Sequence, residues 1–255
     1  MALIAGLALA EGVNSANTVG YTTMSISADT FYLCGIQFED VGDGTGAISL
    51  NDLVSMSGIE ACAYSSRAAS AAQIQVRNGN TYSVYYYLSD AYDEDADEEL
   101  EGWADAGGDL ATDPIDIGKG FWFKAPAAAI NGSAFLVFKG QVRGEASKAV
   151  SFAADTFVLA ANPFPSGTDL SKVTMSGIQA VGYSSRATSA AQIQVRNGNT
   201  YNIYYYLSDA YDEDADEELE GWADAGGDLA TSDAIAPGAG FWIKSPSAGS
   251  ITFSL

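Results

Sequence analysis

YYYLSDAYDEDADEELEGWADAGGDLAT, residues 85–112, ends a stretch beginning at Tyr64 that the chain writes again at Tyr183 to Thr231. Between the copies only Ala69/Thr188, Ser83/Asn202 and Val84/Ile203 differ, so one structural unit is used twice. Immediately upstream, AAQIQV and YSVYYYL flank Arg77-Asn-Gly-Asn-Thr81, and β-branched and aromatic residues on both sides of Asn-Gly signal a β-hairpin. The same signal recurs at Asn197-Gly198. A three-residue loop Asn78-Gly79-Asn80 pairs Val76 with Tyr82 and Ile74 with Val84, and so predicts Val84 on the apolar face, Ser83 on the polar face and Tyr85 and Tyr87 outward.

Working outward, each copy is preceded by two strand-like runs and followed by two more. TVGYTTMSIS and TFYLCGIQFE come before the first copy, and KAVSFAADTFVLAANPFP comes before the second, with Asp29-Thr30-Phe31 aligning on Asp155-Thr156-Phe157. After the acidic block stand GKGFWFKAP from Gly118 and GAGFWIKSP from Gly238, short strands entered through glycine and stopped by proline. Phe123 exchanging with Ile243 marks their core face, which leaves Trp122 and Lys124 on the other. SAFLVFKGQV, residues 133–142, closes the first unit, and SITFSL ends the second. The expected architecture is therefore all-β: two homologous sandwich-like modules over residues 17–142 and 143–255, joined by a short, partly strand linker. DEDADEELEGWADA carries no long helical period, although a turn or two of acidic helix is compatible with it.

Residues 1–16, MALIAGLALAEGVNSA, hold an apolar run from Ala2 to Ala10 that resembles the core and cleavage site of a secretory signal without a basic residue ahead of it. The run is either such a signal or a retained N-terminal arm, and it is too short to span a bilayer. Export would place the protein outside the cell or on its surface.

Composition narrows the chemistry. The 255-residue chain has 33 acidic and 11 basic residues, a net charge of -22, and ten of the acids fall in each block, Asp90–Asp109 and Asp209–Asp228. Patches of that sign repel nucleic acid. There is no histidine, which removes the commonest general base and transition-metal ligand, and no catalytic constellation is recognisable. Catalysis is thus the least expected class. Asp93-x-Asp95-x-Asp97 and Asp212-x-Asp214-x-Asp216 offer alternate carboxylates of the kind calcium takes, yet the EF-hand pattern fails, with Glu98 in place of its glycine and Ala104 in place of its last glutamate. The same loops also read as solvated acid that keeps sheet edges apart.

Trp103, Trp122, Trp222 and Trp242, with Tyr85 and Tyr87, could form aromatic platforms for polysaccharide, or could be core. Cys34 and Cys62 align on Ala160 and Val181, so both are replaced together by apolar residues, as expected of two buried thiols or a disulfide. Arg67 and Arg186, in the repeated Tyr-Ser-Ser-Arg-Ala, are expected to pair with a carboxylate or a backbone carbonyl. NTVGY, ADTFYLCGIQFE, YSSRA-x-SAAQIQV, the acidic YYYLSDA segment and GKGFWFK together resemble uncharacterised exported tandem-repeat β proteins of environmental bacteria. That resemblance implies export and a β fold, and no activity. A duplicated, exported β unit without active-site chemistry is expected to be a structural component that associates with copies of itself into filaments. A secreted carbohydrate-binding sandwich is the alternative.

Overall fold

The computed structural model describes residues 19–39, 47–112, 114–231 and 234–254, and the segment 1–16 lies outside them. Val19–Ile26 (β1), Phe31–Gly35 (β2), Ala47–Ser49 (β3), Val54–Ile59 (β4), Gln73–Asn78 (β5), Thr81–Asp93 (β6), Glu98–Ala104 (β7), Pro114–Asp116 (β8), Gly120–Lys124 (β9) and Ile130–Gln141 (β10) build the first half. Ser147–Phe152 (β11), Phe157–Ala161 (β12), Thr168–Asp169 (β13), Thr174–Ser176 (β14), Gln192–Asn197 (β15), Thr200–Asp212 (β16), Glu217–Ala223 (β17), Ala234–Ile235 (β18), Gly240–Lys244 (β19) and Gly249–Ser254 (β20) build the second. Helix is confined to single turns such as Arg67–Ser70 and Arg186–Ser189. The protein is all-β.

Each half is a sandwich of a five-stranded sheet, β2-β9-β5-β6-β7 or β12-β19-β15-β16-β17, over a three-stranded one, β1-β10-β4 or β11-β20-β14, with a two-stranded ribbon at the side. The pairings between these strands are antiparallel, as tight hairpins allow. Inward-facing Ile74, Phe121 and Phe123 of the large sheet meet Leu136 and Phe138 of the small one, and Ile193, Phe241, Ile243, Ile251 and Phe253 repeat the core in the second half. Burial of a large aliphatic or aromatic side chain stabilises by about 1.5–3 kcal/mol, so alternation along the strands is what holds the two layers together.

The hairpin register differs from the expected one. Asn78 pairs with Thr81, Val76 with Ser83, Gln75 with Val84 and Ile74 with Tyr85, so the loop is the two residues Gly79-Asn80. Gly79 takes φ +59° while Asn80 does not have positive φ, the sign pattern of a type II′ turn with glycine at its first central position. The shift by one residue turns the strand over. Tyr85 is buried, Tyr87 packs on Trp103 with ring centroids 5.5 Å apart, and Val84 joins Gln75 and Trp122 on the outer face. The tyrosines misled the face assignment because an amphipathic ring satisfies either side.

The acidic segment is strand rather than helix. β6 and β7 form a long hairpin whose register slips between Leu88 and Ala91, leaving Ser89 and Asp90 across from Glu101. The bulge aims Asp90 Oδ1 at the Tyr64 backbone N–H, which donates to it at 2.7 Å.

The halves meet through the outer faces of their large sheets about a pseudo-two-fold axis. Gly35 N donates to Gly238 O at 3.0 Å, and the equivalent Ala161 N donates to Gly118 O at 2.9 Å. Isolated bridges Cys34–Ala239 and Lys119–Ala160 repeat the relation. A Cβ on Gly35 would lie 1.8 Å from the Ala161 Cβ, so this position of the first half must lack the methyl that the second half carries.

Candidate functional site

Three regions hold the residues singled out from the sequence: the acidic hairpin tips, the tryptophans and the module junction.

At the first tip, Asp93 Oδ1 accepts the N–H groups of Asp95 (3.0 Å) and Ala96 (3.3 Å), and Asp97, at φ +54°, accepts the Tyr92 hydroxyl at 2.6 Å. The second tip copies this with Asp212, Asp214, Ala215, Tyr211 and Asp216. Further along, Asp105 Oδ1 collects the N–H groups of Gly107, Gly108 and Asp109 at 2.7–3.2 Å. Several carboxylates of the block are therefore turn-forming acceptors, the local use to which aspartate is suited. Among the described residues no group of three or more acidic or thiol side chains is gathered as a metal-ligand set. The hydrogen bond to Asp97 raises the Tyr92 hydroxyl above its usual pKa, and the bond to Asp216 does the same for Tyr211. Burial first, and then the bond to Glu220 at 2.6 Å, pushes Tyr206 up to about 12, and burial with the bond to Glu101 raises Tyr87 likewise.

The four tryptophans divide into two pairs. Trp103 and Trp222 are 1% and 2% exposed in the two cores, so neither ring is a platform for an outside ligand. Their surroundings differ: Trp222 Nε1 donates to Val173 O at 3.2 Å, whereas Trp103 Nε1 is buried without a partner among the described residues. Around Trp103 the longer connection of the first half supplies Asn51, whose amide accepts from Trp103 N (2.7 Å) and donates to Ala111 O (2.9 Å). Trp122 and Trp242 are half-buried at the junction, their ring centroids 6.4 Å apart across the pseudo-axis. Arg77 lies over Trp242 at 5.1 Å and Arg196 over Trp122 at 5.3 Å, a pair of crossed cation–π contacts. Neither arginine stood out in the sequence. Arg77 and Arg196 stand one residue from the ends of β5 and β15, and only the packing of one module on the other gives them an aromatic partner.

Cys34 and Cys62 are free thiols rather than a disulfide. Cys34 sits in the main core, 3.7 Å from Met24 Sδ, while Cys62 packs against the satellite cluster of Ala71, Leu88, Ala91 and Ala104. Burial raises the pKa of both, which disfavours the thiolate form. Arg67 lies 3.8 Å over the Tyr64 ring and donates to Tyr64 O and Ala106 O, and Arg186 repeats the contact on Tyr183. Both are structural clamps on carbonyls.

The sheet edges are treated unequally. β7 and β17, outermost in the large sheets, carry Glu98-Glu-Leu-Glu and Glu217-Glu-Leu-Glu. β1, outermost in the first small sheet, reads VGYTTMSI over eight residues, with Val19 62% and Tyr21 74% exposed. No described helix is long and apolar enough to cross a membrane. The chain matches no protein-family model and no curated protein, so its geometry is what a functional reading has to work from.

Proposed function

We propose that this chain is a non-catalytic structural protein of the cell surface or extracellular matrix that associates with copies of itself into filaments. The observation that carries the reading is β1. It pairs with β10 along one side and has no strand on its other side among the described residues, yet it holds no charge and no proline. An edge of that length without a guard is a template for a further strand. The glutamates on β7 and β17 disfavour strand addition at those edges of the large sheets. The apolar segment Ala2 to Ala10 is the proposed occupant of the next copy's β1 edge, a head-to-tail contact that does not close and therefore propagates. The resemblance to exported tandem-repeat β proteins agrees with this setting.

Size-exclusion chromatography and electron microscopy of the full chain, of a chain starting at Asn17 and of Thr23→Lys test the proposal. Polymers in the first that are lost in the other two are expected, and a monodisperse monomer in all three refutes it. Calcium belongs to the same proposal. Asp93, Asp95 and Asp97, with Asp212, Asp214 and Asp216, would have to gather on binding, so millimolar calcium should raise the melting temperature and a chelator should reverse the rise. An unchanged melt removes calcium.

A second reading, polysaccharide binding, is favoured by a hollow of about 340 Å³ where Trp122, Phe31 and Tyr82 meet Arg196. Quenching of tryptophan fluorescence by a polysaccharide panel that is lost in Trp122→Phe/Trp242→Phe supports it, and no response of the unaltered chain to any member of the panel removes it.

A further inference from the structure

A second and larger cleft, about 840 Å³, opens between the β5–β6 turn and the Asp116–Lys119 loop of the first half and β11, β12 and the turn joining them in the second. Arg77, Lys119, Arg143 and Lys148 line it, four of the eleven cations in the chain. Its carboxylates are Glu39, Asp116 and Glu145. Cations thus outnumber acids here, whereas over the whole chain acids outnumber cations three to one.

Arg143 is consumed locally: its side chain is 4% exposed and pairs with Glu39 at 3.6 Å and with Glu145. Lys119 and Lys148 have no carboxylate within ion-pair distance among the described residues, and Arg77 donates Nε only to Gly79 O at 2.8 Å. Arg77 also lies over the Trp242 ring, and like charges gathered at one mouth repel one another, a repulsion that a bound anion relieves. Ile117, Val150 and Leu159 supply an apolar wall.

The duplication contains its own control. Across the pseudo-axis Lys119 is replaced by Ala239, Asp116 by Ala236 and Lys148 by Thr22, so the matching corner has lost both free lysines. The difference lies in the segments that diverged, not in the repeated block. A cleft between two modules, apolar on one wall and with convergent charged groups, has the form and size of a small-molecule site.

We infer that this cleft binds an organic carboxylate about the size of a uronic-acid disaccharide, with Lys119 and Lys148 on its carboxylates and Arg77 at the rim. Low-dielectric walls focus the local positive field even though the surrounding chain is acidic.

Digalacturonate titrated calorimetrically into the full chain tests the assignment, with cellobiose as the neutral control. One saturable site for digalacturonate, weakened by added salt and absent for cellobiose, is expected. Lys119→Ala with Lys148→Thr should weaken it at least about tenfold, since each lysine makes a charge-assisted contact. Both replacements are residues the opposite corner already carries, and an unchanged melting temperature shows that the fold is kept. The reciprocal pair, Ala239→Lys with Thr22→Lys, should add a second site. Equal binding of cellobiose, full affinity in the double variant, or no saturable digalacturonate binding in the millimolar range overturns the inference.

Discussion

The twice-written stretch and the segments around it behave differently in the two halves. Residues 64–112 and 183–231 repeat each other down to single hydrogen bonds, such as Tyr92 to Asp97 and Tyr211 to Asp216. The flanking segments share strands and core but differ in particular contacts: Asn51 braces Trp103, Trp222 reaches Val173 O, and a glycine at position 35 faces an alanine at 161. Local turn chemistry is therefore copied with the sequence. The asymmetry sits where the flanking sequence diverged, at single positions of the junction and where a connection changed length. Two modules that both carried alanine here could not have packed this way, because two Cβ atoms cannot share the space beside the pseudo-axis.

The largest effect should come from that axis. Gly35→Ala forces two methyls together and should cost up to about 3 kcal/mol in urea denaturation, as overpacking of a tight contact does. Adding Ala161→Gly should restore most of the loss. If the double variant is no better than the single, the contact across the axis is not what limits position 35.

Next in size is the pair of buried tryptophans. Trp222→Phe leaves Val173 O without its donor, whereas Trp103→Phe removes an N–H that has no acceptor among the described residues. An abandoned buried polar group costs about 1–3 kcal/mol, so Trp222→Phe should be the more destabilising by about 2 kcal/mol. Equal losses would show that the two cores are equivalent after all. The turns should show no such difference: Gly79→Ala and Gly198→Ala each place a Cβ at positive φ, +59° and +61°, and each should cost about 1 kcal/mol. Unequal costs would break the identity of the copied stretch.

The smallest effect is in alkali. Tyr206, with its folded-state pKa raised from 10.0 to about 12, binds its proton more tightly when folded. Its contribution to stability is complete below pH 10 and is lost as pH rises towards 12. Tyr206→Phe should flatten the fall of stability across that window, which a series of denaturant midpoints can follow, while Tyr206→Phe at pH 7 should shift the midpoint little.

How much of this was legible in the residues depends on whether the determining interaction is local. The hairpin at Asn78-Gly79 was legible, yet its register was not, since Ser, Tyr and Val on β6 each tolerate either face and the turn could be taken with two residues or three. The core aromatics of GFWFK were assigned correctly from the Phe123/Ile243 exchange, because an apolar-for-apolar swap identifies a buried position. Trp103 could not be placed on sequence grounds. Trp122 could be placed off the core face by its neighbour's exchange, whereas no exchange marks the strand of Trp103, and only the layer that covers it shows it as core.

The sequence by itself determined the all-β class, the duplication, the position of the turns and the location of the charge, because these follow from side-chain period, glycine and simple counting. The tertiary structure decided which face of β6 is buried, that the two thiols stay free, and that Arg77, Lys119 and Lys148 meet in one cleft. Those outcomes depend on contacts between residues far apart in the chain, and on the packing of two sheets whose relative placement no local preference encodes.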